Sequence, residues 1–493
     1  MSGSRKTRTF EPRSIDRAGR LTLRGKELVG VRAEIALPDR DEGQIRAVFR
    51  WPYDASGPKT GPARFRFETG VDTSPERNWS DELVELDEVH VYTSSPVHLS
   101  TSVEEIRAEA DVMQMTITRK RLIEELAGKR TSISVIVTPN RLLNPWRSEE
   151  LSYRGTVKMH PGQRRIVTDP ALGKVTFEHL YEWNSSEDDA LRQSRRYLIA
   201  DFETDVPVED KQGLRALLPL VDDLLLLWGF VTRTPMRAAG WIARGSTGHS
   251  EHYRRDMRLP DGRQRYRTIV NGGLTEPDRL QPFVRAAIKQ FRKSPFQIQL
   301  RNALWALENI PDETLERKFV SLFSAFEGLM DALIAEPARK KSAADKKKRD
   351  QLRDRLLAGL AVAIKELDAP EHLHIQFTGA IRNVQALSFA ERYRLLRKTR
   401  KVELDDIWPI TATGDTMSLY RIRNLLAHGR TVEMKHFDAI ADAGHHIEWA
   451  LERLICTALA WPIEDTDIAP TSLSAYWTHD LLDWKTSEKQ LHT

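Results

Sequence analysis

The stretch Tyr420-Arg421-Ile422-Arg423-Asn424-Leu425-Leu426-Ala427-His428-Gly429 reads as a short helix that carries its chemistry at one end. Asn424 and His428 are four apart and share a helix face. Arg423 sits one position round, at the edge of that face, and Leu425 and Leu426 supply apolar contacts. Gly429 suits a C-cap, which puts His428 in the last turn with its ring pointing off the helix end. A helix C-terminus favours imidazolium, keeping a proton available near neutral pH.

Spacing alone does not single this segment out. Arg154 with His160, Arg244 with His249, Arg430 with His436 and Arg421 with His428 also have four to six residues between Arg and His. Arg154 lies in an apparent strand, Arg244 to His249 spans a Gly- and Ser-rich loop, and the third pair straddles a helix start. None of these has Asn after the Arg. Arg382-Asn383 and Arg301-Asn302 repeat the dipeptide without a His. Only Arg423 to His428 combines Asn, apolar neighbours, a helical setting and a closing Gly.

The surroundings are helical from about residue 275. Pro277 suits a first turn, followed by apolar Leu280, Phe283, Val284, Ala287, Ile288 and Phe291. Residues 314–334 place Phe319, Leu322, Phe323, Phe326, Met330 and Leu333 at three- and four-residue steps. Residues 352–367 form a third helix, and residues 437–459 a fourth that Pro462 stops. The last thirty residues, with Trp477 and Trp484, read as a docked tail. Upstream, short alternating runs such as Ile45-Arg46-Ala47-Val48-Phe49 and Ser132-Ile133-Ser134-Val135-Ile136-Val137 mark a β-rich region. One helical insertion is expected near residues 103–110. Between them, 196–202 reads as a strand and 212–228 as an apolar helix. Residues 230–232 and 236–244 read as a hairpin turning at Arg233-Thr234-Pro235.

The expected class is therefore α+β and multidomain. A β-rich domain at 1–184 (sandwich or partly open barrel) is followed by a mixed α/β region at 185–274, helices at 275–465 and a tail at 466–493. The chain has 493 residues, 75 Lys plus Arg and 71 Asp plus Glu, so its net charge of +4 imposes no partner. Its 40% hydrophobic content and 12 Trp exclude a mostly disordered chain. The single Cys456 excludes an intrachain disulfide and a cysteine-rich zinc module. No secretory signal or membrane span is expected, because residues 1–20 are polar and the apolar run 214–231 contains Pro219, Asp222 and Asp223. A cytoplasmic location follows as an expectation.

The segment around Arg423 resembles the signature of HEPN domains: Arg, then a polar residue, then His after four to six residues. The helix from Phe319 to Leu333, with Glu327 inside it, is similar to the family's first long helix. With a β-rich region ahead, the layout resembles ApeA-type proteins of bacterial phage defence over residues 297–461. The resemblance implies an all-α HEPN bundle and a metal-independent endoribonuclease without cofactor, acting as a homodimer on transfer RNA or messenger RNA after a phage-derived trigger. It implies Arg423, Asn424 and His428 as catalytic residues, with Glu327 as the acidic residue that pairs with Arg423 or His428. The alternative is a catalytically silent HEPN scaffold that serves as a dimerising ligand- or RNA-binding module.

The chemistry suits these residue types. In RNA cleavage without metal the 2′-hydroxyl attacks the adjacent phosphorus, a base takes its proton and an acid protonates the leaving 5′-oxygen. His428 can do either task, Arg423 matches phosphate geometry, and Asn424 orients the His or the phosphate. Two basic clusters suit an RNA backbone. Arg339, Lys340, Lys341, Lys346, Lys347, Lys348 and Arg349 lie in an apparent loop between long helices. Arg392, Arg394, Arg397, Lys398, Arg400 and Lys401 form the second, with Tyr393 the one interleaved aromatic.

Two metal-dependent readings fail. Asp201-Phe202-Glu203-Thr204-Asp205 resembles a first exonuclease motif of the DEDD kind, but its second and third motifs are missing. His249 with His252, and His445 with His446, read as surface histidines, not metal ligands.

Overall fold

The computed structural model describes residues 13–37, 45–52, 60–68, 79–98, 103–121, 130–138, 140, 142–143, 149–151, 157–159, 164–183, 194–254, 273–308, 314–383, 387–412, 414–428, 433–476 and 483–492. The chain forms two compact units, Met1–Lys289 and Gln290–Thr493.

The first unit is an antiparallel sheet system. Its strands are β1 (Arg13–Leu23), β2 (Lys26–Leu37), β3 (Ile45–Pro52), β4 (Gly61–Glu68), β5 (Trp79–His98), β6 (Val103–Arg121) and β7 (Thr131–Val137), then β8 (Glu149–Leu151), β9 (Val157–Met159), β10 (Arg165–Asp169), β11 (Gly173–Trp183) and β12 (Ser194–Thr204). Helix α1 (Lys211–Thr232) precedes β13 (Ala238–Arg244) and β14 (Gly248–Arg254), and α2 is Leu280–Lys293. Strands β6-β3-β2-β1-β4-β5 close into a barrel through the β5–β6 pairing, and β14, β13, β7, β12, β11 and β10 extend the sheet from β6.

Period-two alternation makes the barrel. Ile45, Ala47, Phe49 and Trp51 of β3 and Ile106, Ala108, Ala110 and Val112 of β6 point into a filled apolar core. The β1–β2 turn uses left-handed Arg24 and Gly25 (φ 50° and 83°), as a two-residue hairpin requires. Strand β6 joins the two parts. Its residues 105–112 pair with β3 and its residues 114–120 with β14. The helical insertion expected at 103–110 is therefore a strand. Its Glu and Ala residues favour helix intrinsically, but pairing on both edges overrides that preference.

The expected hairpin at 230–244 is also replaced. Phe230, Val231 and Thr232 are the last turn of α1, buried, with the Phe230 ring 5.9 Å from Phe283. Strand β13 pairs instead with β14 and β7. The Gly- and Ser-rich segment at 244–249 is the β13–β14 hairpin. The division between units falls within α2, not ahead of it, because Gln281 and Arg285 donate to the Ile166 carbonyl of β10.

The second unit is helical among the described residues. It contains α3 (Gln297–Glu308), α4 (Leu315–Glu366), α5 (Glu371–Asn383), α6 (Phe389–Arg400), α7 (Leu419–Ala427), α8 (Phe437–Ala458), α9 (Pro470–Tyr476) and α10 (Trp484–Gln490). Phe319, Leu322, Phe323, Phe326 and Met330 of α4 are buried, as are Ile440, Ile447, Leu451 and Leu454 of α8. The chain end docks here: Trp484 stacks 6.0 Å from Trp408, and Glu488 accepts the Met417 N–H at 2.7 Å. Trp477 lies outside the described residues.

Residues 339–349, expected as a loop, have helical backbone inside α4, which runs unbroken for 52 residues. Their side chains lie outside the described set. A stretch rich in Lys, Arg and Ala is a good helix former even when nothing apolar marks a buried face. Among the described residues, no helix is long and apolar enough to cross a membrane.

Candidate functional site

Three aromatic rings bring α4, α6 and α7 together. Phe389 and Tyr420 stack at 4.4 Å with planes 4° apart, and Phe323 lies 5.4 Å from Phe389 and 6.1 Å from Tyr420. Each ring is followed one helical turn later by a charged residue: Glu327 after Phe323, Arg392 after Phe389 and Arg423 after Tyr420. Residues three or four apart lie on one face, so the rings that join the helices also gather the charges. Local signals set the helix starts. Ser388 and Glu391 form a reciprocal capping box on α6, and Ser418 caps α7 by accepting the Arg421 N–H.

The polar network follows. Glu327 accepts from Arg392 Nη2 at 2.6 Å through Oε1, and its Oε2 lies 3.7 Å from Arg423 Nη2. Arg423 Nη1 donates to Asn424 Oδ1 at 3.0 Å. The other amino group of Arg392 pairs with Asp331, one turn along α4 from Glu327. Burial works against the charge on Arg392, but the hydrogen bonds to Glu327 and Asp331 outweigh it and hold the guanidinium above its usual range.

Of the four residues singled out by sequence, Arg423, Asn424 and Glu327 meet. Asn424 contacts Arg423 through its side chain, so it orients the guanidinium. His428 is the C-cap residue of α7 and is exposed, with its backbone N–H on the Asn424 carbonyl at 3.2 Å. Its imidazole makes no contact with the network among the described residues. Gly429 lies outside them, as do Arg154, His160 and Arg430.

Two members of the network were not singled out. Asp331 carried no signal beyond its four-residue spacing from Glu327. Arg392 was counted with the second basic cluster, and the structure turns it toward Glu327 and Asp331. Arg397 pairs with Asp405 at 2.5 Å, and Arg400 donates to the Leu333 carbonyl at 2.9 Å, so both are occupied within the chain. Lys398 is exposed. Lys340, Lys341, Lys346, Lys347 and Lys348 lie on the helical backbone of α4.

The histidines expected at the surface are largely enclosed. His252 is 1% exposed on β14, with Nδ1 3.1 Å from Thr116 Oγ1 and its ring 4.6 Å from Trp241. Burial, then the charges of Arg215 and Arg254, push it down to about 3. His249 is bonded to Glu251 at 2.9 Å, and His446 Nδ1 accepts the Trp408 N–H. His445 packs on Trp449 at 6.4 Å and is pushed down to about 4 by burial and Lys318. These groups pack against their own units, and no cluster of three His, Cys, Asp or Glu able to hold a metal occurs among the described residues. Two carboxylates of the exonuclease-like segment are engaged, Asp201 by Ser134 at 2.6 Å and Asp205 by Arg130 at 2.9 Å.

No family model, curated protein or solved structure matches the chain.

Proposed function

We propose that the chain is a metal-independent endoribonuclease of the HEPN type. One observation carries the reading. Arg423, oriented by Asn424 and loosely faced by Glu327, lies on the short helix whose exposed end residue is His428. That arrangement offers a guanidinium for a phosphodiester and an imidazole for proton transfer on one element. The 2′-hydroxyl attacks phosphorus, Arg423 stabilises the charge on the phosphorane oxygens, and His428 moves a proton to or from a reacting oxygen. The products are a 2′,3′-cyclic phosphate and a 5′-hydroxyl, and DNA is inert for lack of the attacking group.

In this reading two copies line one cleft as a homodimer in the cytoplasm, because each α7 supplies a single His. The β-rich unit senses or restrains. The setting is anti-phage defence, with a phage-derived trigger and transfer RNA or messenger RNA as substrate. One observation favours the alternative, a catalytically silent scaffold that dimerises and binds a ligand or RNA: His428 stands apart from the Arg423 network. Incubating the purified chain with total cellular RNA in EDTA, beside His428→Ala, separates the two. The nuclease reading predicts fragments from the wild type alone, and equal fragmentation by both proteins contradicts it.

A further inference from the structure

The site contains two arginines and two acids, and they do not pair evenly. Glu327 is 2.6 Å from Arg392 but 3.7 Å from Arg423, beyond hydrogen-bond reach. Among the described residues, Arg423 has one side-chain hydrogen bond, to Asn424, while its Nε is buried without a partner. Arg392 has both amino groups taken, one by each carboxylate. A phosphodiester approaching this corner therefore meets Arg423 and not Arg392.

We propose that Arg392 is a positioning residue: by holding Glu327, it keeps that carboxylate from closing on Arg423 and leaves the Arg423 guanidinium open to a phosphodiester. The inference rests on the RNA-binding reading of this site. Two arguments support it. A carboxylate released from Arg392 would take Arg423 in a two-point pair, the strongest arrangement open to both groups. The charges of Arg392, Arg423, Glu327 and Asp331 also sum to zero, so removing Arg392 leaves a net −1 against an incoming anion. A planar fork suits this task because Glu327 and Asp331 are one turn apart and each takes one amino group. A lysine keeps the charge but not the fork. Arg392 is not alone in joining α6 to α4, since Phe323 lies 5.4 Å from Phe389 and Arg400 donates to the Leu333 carbonyl at 2.9 Å.

The test uses the full chain. Binding of a 2′-O-methyl RNA oligonucleotide is measured by fluorescence anisotropy, beside cleavage of the unmodified RNA. Four variants are compared with wild type: Arg392→Ala, Arg392→Lys, Glu327→Gln and the double Arg392→Ala/Glu327→Gln. Thermal melts select the variants that fold. Arg392→Ala should weaken binding and cleavage roughly tenfold to a hundredfold, the scale of a displaced contact group. Arg392→Lys should lose less, and the double variant should return to the level of Glu327→Gln, because Glu327, the carboxylate that faces Arg423, is no longer there to capture it. If Arg392→Ala does not fold, the double variant and the lysine variant carry the same comparison. A folded Arg392→Ala that binds like wild type, or a double variant weaker than both singles, overturns the proposal. Binding without cleavage by the wild type contradicts the nuclease reading alone, because the same ranking in binding still upholds Arg392's role. A wild type that neither binds nor cleaves overturns both.

Discussion

Arg453 on α8 and Arg423 on α7 belong to the same helical unit and use the same side chain in opposite ways. Arg453 is fully buried. Its Nε donates to the Ile468 carbonyl at 2.8 Å, Nη1 to the Glu403 carbonyl at 3.0 Å, and both amino groups grip Asp406 at 2.5 and 2.6 Å. Arg423 is 30% exposed, bonds its own neighbour Asn424 and meets Glu327 only at 3.7 Å. A saturated guanidinium joins segments of the chain, here α8 to the Glu403–Asp406 and Ile468 segments. A partly filled one beside solvent retains capacity for an outside anion. Charge and residue type are identical, so the partners decide the role.

The largest effect should come from the closed region. Arg453→Ala strands Asp406 and two carbonyls and should destabilise the unit by about 3–5 kcal/mol, read by chemical denaturation. A loss no larger than that of Arg423→Ala would break the comparison. Next, Arg423→Ala should change stability by less than about 1 kcal/mol and lower RNA cleavage by at least about a hundredfold. Denaturation and initial rates on one preparation check both. Tyr420→Leu should follow. It removes the stack on Phe389 that aligns α6 with α7, worth about 0.5–1.5 kcal/mol beyond burial. It should lower cleavage more than its melting shift explains.

The smallest effect concerns a closed group in the sheet unit. His252 is held at about 3 by burial, then Arg215 and Arg254, so it stays neutral in the fold. The unfolded chain takes up the proton first, below its ordinary value of about 6.5. Its contribution is complete above that pH and is lost as pH falls toward 3, at no more than about 1.4 kcal/mol per pH unit. Denaturation at pH 7.5 and 5.5 should show a smaller difference for His252→Gln than for the wild type.

The sequence carries the helical half of the fold openly, because Phe319, Phe323, Phe326 and Met330 repeat at helical steps and their burial follows. The alternation in β3 is equally plain. Strand β6 was not legible: Glu104, Glu105, Ala108 and Glu109 favour helix, and only the pairing with β3 and β5 makes it extended. The basic run at 339–349 reads as loop because its sequence carries no large apolar residue at helical spacing. At the site, the spacing of Arg423, Asn424 and His428 is local and visible. The bond between Arg392 and Glu327 spans 65 positions and depends on the aromatic contact that brings α6 to α4. His252 and His446 look like surface groups because nothing local announces the strands and helices that cover them.

The central claim is that Arg423 and His428 cut RNA by way of its own 2′-hydroxyl. The most direct test is chemical identification of the new 3′ ends when the purified chain acts on RNA in EDTA, beside Arg423→Ala and His428→Ala. The account predicts 2′,3′-cyclic phosphate ends from the wild type and none from either variant. Fragments ending in 3′-hydroxyl, or cyclic ends that persist in both variants, would contradict it.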